Sequence, residues 1–150
     1  MSSEPVVTAI DHVGIAVPDL DEAIAFYTGA FGLVVTAIEV STEQGVREAM
    51  LRAPGDDGTG TAVQLLAPLT PGSPVGRFLA RKGPGLQQLA YRVADVERMS
   101  AAVKAHGGKA IFDGPRRGTA DSRVQFFHPR STGGVLVELV EPAPDRGRRR

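Results

Sequence analysis

The chain has 150 residues, with 17 basic and 17 acidic side chains and no cysteine. The balanced charge provides no global field to draw nucleic acid or an anionic membrane. The missing cysteines exclude a disulfide scaffold, a thiolate-ligated zinc, an iron–sulfur cluster and a cysteine nucleophile. At this length one or two compact domains are expected, and an aromatic content of 5% without tryptophan argues against a base-stacking or sugar-binding platform.

The opening MSSEPVVTAI has neither a basic region nor an apolar run, so no signal peptide is expected, and no later stretch reaches the roughly 18 apolar residues of a membrane span. A cytoplasmic protein is the expectation. DHVGIAVPDLDEA (Asp11–Ala23) then reads as a strand, a turn and a helix start. Asp19 stands where an N-cap belongs, and Glu22 completes an Asp-x-x-Glu capping box. Leu20, Ala23, Ile24, Tyr27, Ala30 and Phe31 recur at helical spacing on one face, and Gly32 stops the run. Strands follow at about Val34–Val40 and Val46–Leu51, then a turn at Asp56–Gly60 and an apolar strand at Ala62–Pro68.

A Pro- and Gly-rich segment with a short helical run at Val75–Arg81 leads to a second copy of the same grammar. QQLAYRVADVERM (Gln87–Met99) repeats the first strand and helix start 76 residues on, with Val93, Asp95 and Val96 matching Val17, Asp19 and Leu20. Val96, Met99 and Val103 share the face of this helix, and Gly107 and Gly108 end it. Strands are expected at about Lys109–Phe112 and Arg123–Phe127, and Leu136–Pro142 mirrors Ala62–Pro68. Each half thus reads β-α-β-β-β. The fold class is α+β, with two paired βαβββ modules forming one cupped mixed sheet over residues 9–142. Module one covers about 9–68, a linker 69–84 and module two about 85–142, and residues 143–150 form a basic, disordered tail.

Strand alternation puts His12, Gly14 and Ala16 on one face, and small residues beside a histidine leave room for a cavity wall. The repeat makes Gln88 the counterpart of His12, and Gln64 the counterpart of Glu138. One imidazole, one carboxylate and two amides suit a divalent cation such as Mn, Co or Mg. Ordinary strand side chains, paired or solvated, are the competing reading. His106 ends the second helix, where a cation complements the dipole. His128 precedes a proline and a turn, and RSTGG (Arg130–Gly134) lacks phosphate-loop spacing, so hairpin chemistry is expected there.

The paired modules resemble the vicinal oxygen chelate superfamily. More specifically, IDHVGIAVPDLDEAIAFY, EQGVREAML, VQLLAPL, PRRG and FHPRSTGGVLVELVE resemble methylmalonyl-CoA epimerases, over about Ile10 to Glu141. The resemblance implies an isomerase that removes and returns a proton beside a thioester carbonyl, with an acyl-CoA substrate and a homodimeric state. It implies metal ligands at His12, Gln64, position 88 and Glu138, and a catalytic base at Glu48, with Glu138 acting from the opposite face. It makes Arg116, Arg117, Arg123, His128 and Arg130 candidates for substrate contact. Where the family reads Gly-Leu-His-His, this chain has GLQQ (Gly85–Gln88), so a ligand histidine is replaced by Gln88. An amide oxygen is a poorer donor than imidazole to Co or Zn, so divalent metal (Co, Mn or Mg) is expected to bind weakly or to be absent. A repurposed isomerase or cyclase without metal, and a non-catalytic small-molecule binder, are the alternatives.

Overall fold

The computed structural model describes residues 5–144; Asp145–Arg150, most of the expected basic tail, lie outside the described residues. Two compact units divide the chain. One is Asp11–Gln88, and the other joins the described parts of Met1–Ile10 and Leu89–Arg150.

The first unit runs β1 (Val7–Ala16, from Asp11 onward), α1 (Leu20–Phe31), β2 (Val34–Ser41), β3 (Val46–Arg52) and β4 (Ala62–Pro68), the expected order. Asp19 Oδ1 accepts from Glu22 N at 3.0 Å to cap α1, and Gly32 ends it in the left-handed region at φ 71°. The strands lie in the order β2-β3-β4-β1, with β1 parallel to β4 and the other pairs antiparallel. One sheet face carries Ala49, Leu51, Leu65, Ala67 and Val17, against which Leu20, Ile24 and Tyr27 of α1 pack. Phe31, expected on that face, is exposed because it lies in the last turn of α1, beyond the sheet contact.

The segment between the modules does more than connect them. Helix α2 (Pro74–Lys82) is capped by Ser73, whose hydroxyl accepts from Gly76 N at 3.2 Å. Its Val75, Phe78 and Leu79 pack on Ala16, Val46 and Leu66, the sheet face opposite α1. The β3–β4 turn is held by Asp56, whose Oδ1 accepts from Gly58 N at 2.7 Å and Gly60 N at 3.2 Å. These two bonds, helped by Arg52, hold the Asp56 carboxyl below its ordinary value of 3.8. A depressed carboxylate stabilises the turn above the ordinary range and loses that effect as pH falls through the depressed value. An NMR titration of Asp56 is expected to give a midpoint below 3.8; an ordinary midpoint would contradict the turn.

The second unit runs β5 (Gly85–Val93, from Leu89 onward), α3 (Val96–Ala105), β6 (Arg116–Arg117), β7 (Arg123–Phe127) and β8 (Leu136–Glu141). The order is β5-β8-β7-β6, with β6, β7 and β8 antiparallel. Asp95 Oδ1 accepts from Glu97 N and Arg98 N, and Glu141 Oε1 accepts from Val96 N, so two carboxylates serve the start of α3. His106 is its C-cap, with Nδ1 at 3.0 Å from Ala102 O. Phe127, Leu139, Val93 and Val96 form the core beneath α3, joined by Met99 and Val103.

One expected strand is absent. Lys109–Phe112 contributes a single bridge, Ala110 to Phe127, and the strand that follows α3 is the short β6 instead. The reason is local. Gln125, fully buried in β7, turns its carboxamide onto the chain, with Oε1 accepting from Phe112 N and Nε2 donating to Phe112 O. A side chain thus takes the bonds that a strand partner would make, and Gly114 and Pro115 follow. RSTGG forms turn structure, with Gly133 and Gly134 at positive φ.

Candidate active site

Four polar side chains meet on one sheet face of the Asp11–Gln88 unit. β1 contributes His12, β3 Glu48, β4 Gln64 and the first residues of β5 Gln88; their exposures are 3%, 7%, 4% and 8%. Alternation explains the convergence. Gly14 and Ala16 share the face of His12, Val46 shares that of Glu48, and Leu66 that of Gln64, while the residues between them point toward α1. Helix α2 covers the apolar end of this face, and the polar residues occupy the rest.

The four form one hydrogen-bonded chain. Gln64 Nε2 donates to Glu48 Oε1 at 2.7 Å. Gln88 Nε2 donates to Gln64 Oε1 at 3.1 Å and lies 3.4 Å from His12 Nε2. At the far end His12 Nδ1 meets Asp11 Oδ2 at 2.8 Å. Burial of these groups is tolerated because each polar atom named here has a partner.

Gly14 makes this arrangement possible. A Cβ there would stand 2.5 Å from Gln88 Cγ and 3.1 Å from both Gln88 Cδ and Leu66 Cδ1. The Gln88 stem therefore lies flat across the β1 backbone. Gly14→Ala is expected to push the carboxamide away from Gln64 and His12, at a cost of about 1–3 kcal/mol in stability. Urea unfolding together with the Gln64 and Gln88 side-chain amide NMR signals checks this, and unchanged signals would contradict the close approach.

A divalent cation was expected at His12, Gln64, Gln88 and Glu138, and the donor chemistry tests that expectation. Asp11 fixes the His12 ring as a second carboxylate does for many metal-bound histidines, so His12 suits a ligand role. Gln88 does not. Its amide N–H group, a donor, stands where His12 Nε2 and Gln64 Oε1 converge. Among the described residues, no three His, Cys, Asp or Glu side chains form a group that could hold a metal. In this arrangement the residues present do not fit a divalent ion, because the second family histidine is an amide turned the wrong way.

Glu138 belongs to the other unit. It is buried on β8 opposite Phe126, and its neighbours Leu136 and Val140 pack with Ala90, Val124 and Phe126. Arg116 stands 4.4 Å over the Phe112 ring, a cation–π contact at the edge of the same cluster. Arg117 pairs with Asp121 at 2.6 Å, and Asp121 and Ala120 both have positive φ. His128 and Arg130 are exposed at the start of the β7–β8 connection. Arg123 is placed differently from the other candidates. It shares the α3 side of β7 with Phe127, where it pairs with Glu97 at 3.0 Å and Glu141 at 3.5 Å. Its guanidinium is thus committed to the face opposite Glu138.

Sequence reasoning missed Asp11 and Gln125. Adjacent strand residues normally point to opposite faces, so nothing in the pattern pairs Asp11 with His12. Gln125 gives only a glutamine in an apolar strand, a signal too weak to read as a backbone partner.

The family model of the Glyoxalase/Bleomycin resistance protein/Dioxygenase superfamily matches residues 11–126, and the chain belongs to that superfamily. Its relatives narrow the assignment. The crystal structure of methylmalonyl-CoA epimerase from Mycobacterium tuberculosis is 46% identical, covering 96% of this chain and 94% of that one, with a TM-score of 0.87. A variant of the Streptomyces coelicolor methylmalonyl-CoA epimerase in complex with 2-nitronate-propionyl-CoA is 42% identical, covering 93% and 100%, with a TM-score of 0.87. The ethylmalonyl-CoA/methylmalonyl-CoA epimerase of Cereibacter sphaeroides is 35% identical, over 88% of this chain and 96% of its own length. Within the superfamily the chain groups with the methylmalonyl-CoA epimerases.

Proposed function

We propose that this protein is an isomerase that epimerises methylmalonyl-CoA, or a close 2-substituted acyl-CoA, at the α-carbon. The observation that supports the reading most is the buried Glu48, anchored through one oxygen by Gln64 on a face with His12 and Gln88. A carboxylate removed from bulk water and oriented by a neutral donor is what abstraction of a weakly acidic C–H proton requires.

The proposed chemistry is a proton transfer in two steps. The α-C–H bond breaks, its proton goes to a Glu48 oxygen, and its electron pair moves into the thioester to give an enolate. The α-carbon then takes a proton on its opposite face, which inverts the configuration and leaves no net redox change. Glu138 is proposed for that second transfer, the role the family resemblance implies for it. Arg116, Arg117 and Arg130 are proposed to meet the phosphates of coenzyme A, with His128 as a further substrate contact; Arg123 is left out because it lies on the α3 side of β7, the face opposite Glu138, paired with Glu97 and Glu141. A divalent ion between His12 and Gln64 requires the Gln88 carboxamide to turn or withdraw, so metal enters none of these steps. A homodimer working in the cytoplasm completes the reading; no helix among the described residues is long and apolar enough to cross a membrane.

Chiral analysis of methylmalonyl-CoA after incubation of a single enantiomer with the protein tests this. Conversion to a mixture of both epimers is the expected result. Persistence of the starting enantiomer, with or without added Co, Mn or Mg, would overturn it.

A further inference from the structure

The hydrogen-bonded chain on this face has a direction set by its ends. Asp11 and Glu48 are carboxylates, which accept bonds when ionised and cannot donate. A neutral His12 ring must therefore give its Nδ1–H to Asp11, which leaves Nε2 as an acceptor. Gln64 must give an Nε2–H to Glu48, which leaves Oε1 as an acceptor toward the centre. Two acceptors then face one point, and only a cation or a group with two donor hydrogens satisfies both. In this chain that point is occupied by the Gln88 carboxamide nitrogen, 3.1 Å from one acceptor and 3.4 Å from the other. The reverse orientation would set an amide oxygen against two lone pairs. Gly14 independently shows a site built for this side chain, since any Cβ there would collide with the Gln88 stem.

We infer that the Gln88 amide N–H pair replaces a bound cation at the His12–Gln64 convergence point and is the positioning group for Glu48, acting through Gln64. The inference rests on the assignment of Glu48 as the base only for its kinetic consequence. Its structural content stands without that assignment. Gln88 holds Gln64 in the one amide orientation that keeps an N–H on Glu48, and it does so while excluding a divalent ion from the same point.

Three measurements on the full-length protein test this, and two need no turnover. The first is Mn2+ titration followed by electron paramagnetic resonance. The wild type is expected to bind Mn2+ weakly, and Gln88→His to bind about ten- to a hundredfold more tightly. The second is the Gln64 side-chain amide NMR signal, expected to shift and to exchange faster with solvent in Gln88→Leu while backbone signals remote from the site stay in place. The third is kinetic, using wild type, Gln88→Leu and Gln88→His with and without a strong chelator. Wild-type exchange at the α-carbon should survive the chelator. Gln88→Leu should lose about tenfold or more in kcat with KM little changed. Gln88→His should become chelator-sensitive.

Tight Mn2+ binding by the wild type that Gln88→His does not improve would overturn the inference, as would a Gln64 signal indifferent to Gln88→Leu. If the wild type shows no exchange under any condition, the epimerase reading fails, while the Mn2+ and NMR results still decide the role of Gln88.

Discussion

Replacing Glu48 with glutamine is expected to lower epimerisation by about 10²–10⁴-fold while leaving the unfolding midpoint nearly unchanged. The substitution is close to isosteric, and the new carboxamide oxygen can still accept the Gln64 N–H that now reaches Glu48 Oε1 at 2.7 Å. The side chain keeps its length and its bond to Gln64 and loses its charge and basicity. Such a loss corresponds to roughly 3–5 kcal/mol of transition-state stabilisation, at about 1.4 kcal/mol per decade. Glu48→Asp serves as the graded control, because it keeps the charge but draws the carboxylate back by one methylene from the chain Asp11–His12–Gln88–Gln64. Steady-state kinetics on the three proteins checks the order wild type, aspartate, glutamine. Full activity in Glu48→Gln would move the base elsewhere.

The largest effect on stability is expected at Phe127, whose ring is fully buried. It packs with Val93, Val96 and Leu139, and with Met99 and Val103 of α3, and its strand makes the Ala110 bridge. Phe127→Ala removes a ring from a region with little room to collapse. Gly108 already lies so close that a Cβ there would come 3.3 Å from Phe127 Cδ2. A cost of about 3–5 kcal/mol is expected, and in a protein of this length that lowers Tm by roughly 6–20 °C. Against a total stability of about 5–15 kcal/mol, the variant sits near the edge of folding. Urea or thermal unfolding measures it, and a loss below about 1 kcal/mol would contradict the packing described.

These two sites differ in how readily the sequence announces them. The repeat is legible because each helix start carries its own mark. Asp19 and Asp95 cap where expected, and Leu20 and Val96 begin the apolar stripe. β1, β3 and β4 are legible because the same alternation, apolar residues toward α1 and His12, Glu48 and Gln64 away from it, survives in each of them. The second unit departs from the pattern where side chains replace backbone partners, as Gln125 does for Phe112. Alternation also misleads at Asp11, which bonds to its own neighbour. The role of Arg123 is decided by two carboxylates, Glu97 and Glu141, that lie 26 and 18 positions away in the chain, beyond any local motif. Gln88 is the instructive case. Its sequence position marks it as a lost ligand, and only the two acceptors facing it show what the amide supplies in exchange.

Solvent deuterium incorporation at the α-carbon of methylmalonyl-CoA, followed by mass spectrometry in D2O, reads out proton abstraction by Glu48. The wild type should incorporate one deuteron per molecule in both epimers, and Glu48→Gln should incorporate it at least a hundredfold more slowly when the reaction starts from the epimer whose α-proton faces Glu48. Absence of deuterium in the wild-type reaction, or equal incorporation by Glu48→Gln, would contradict proton abstraction by Glu48 as the basis of this protein's function.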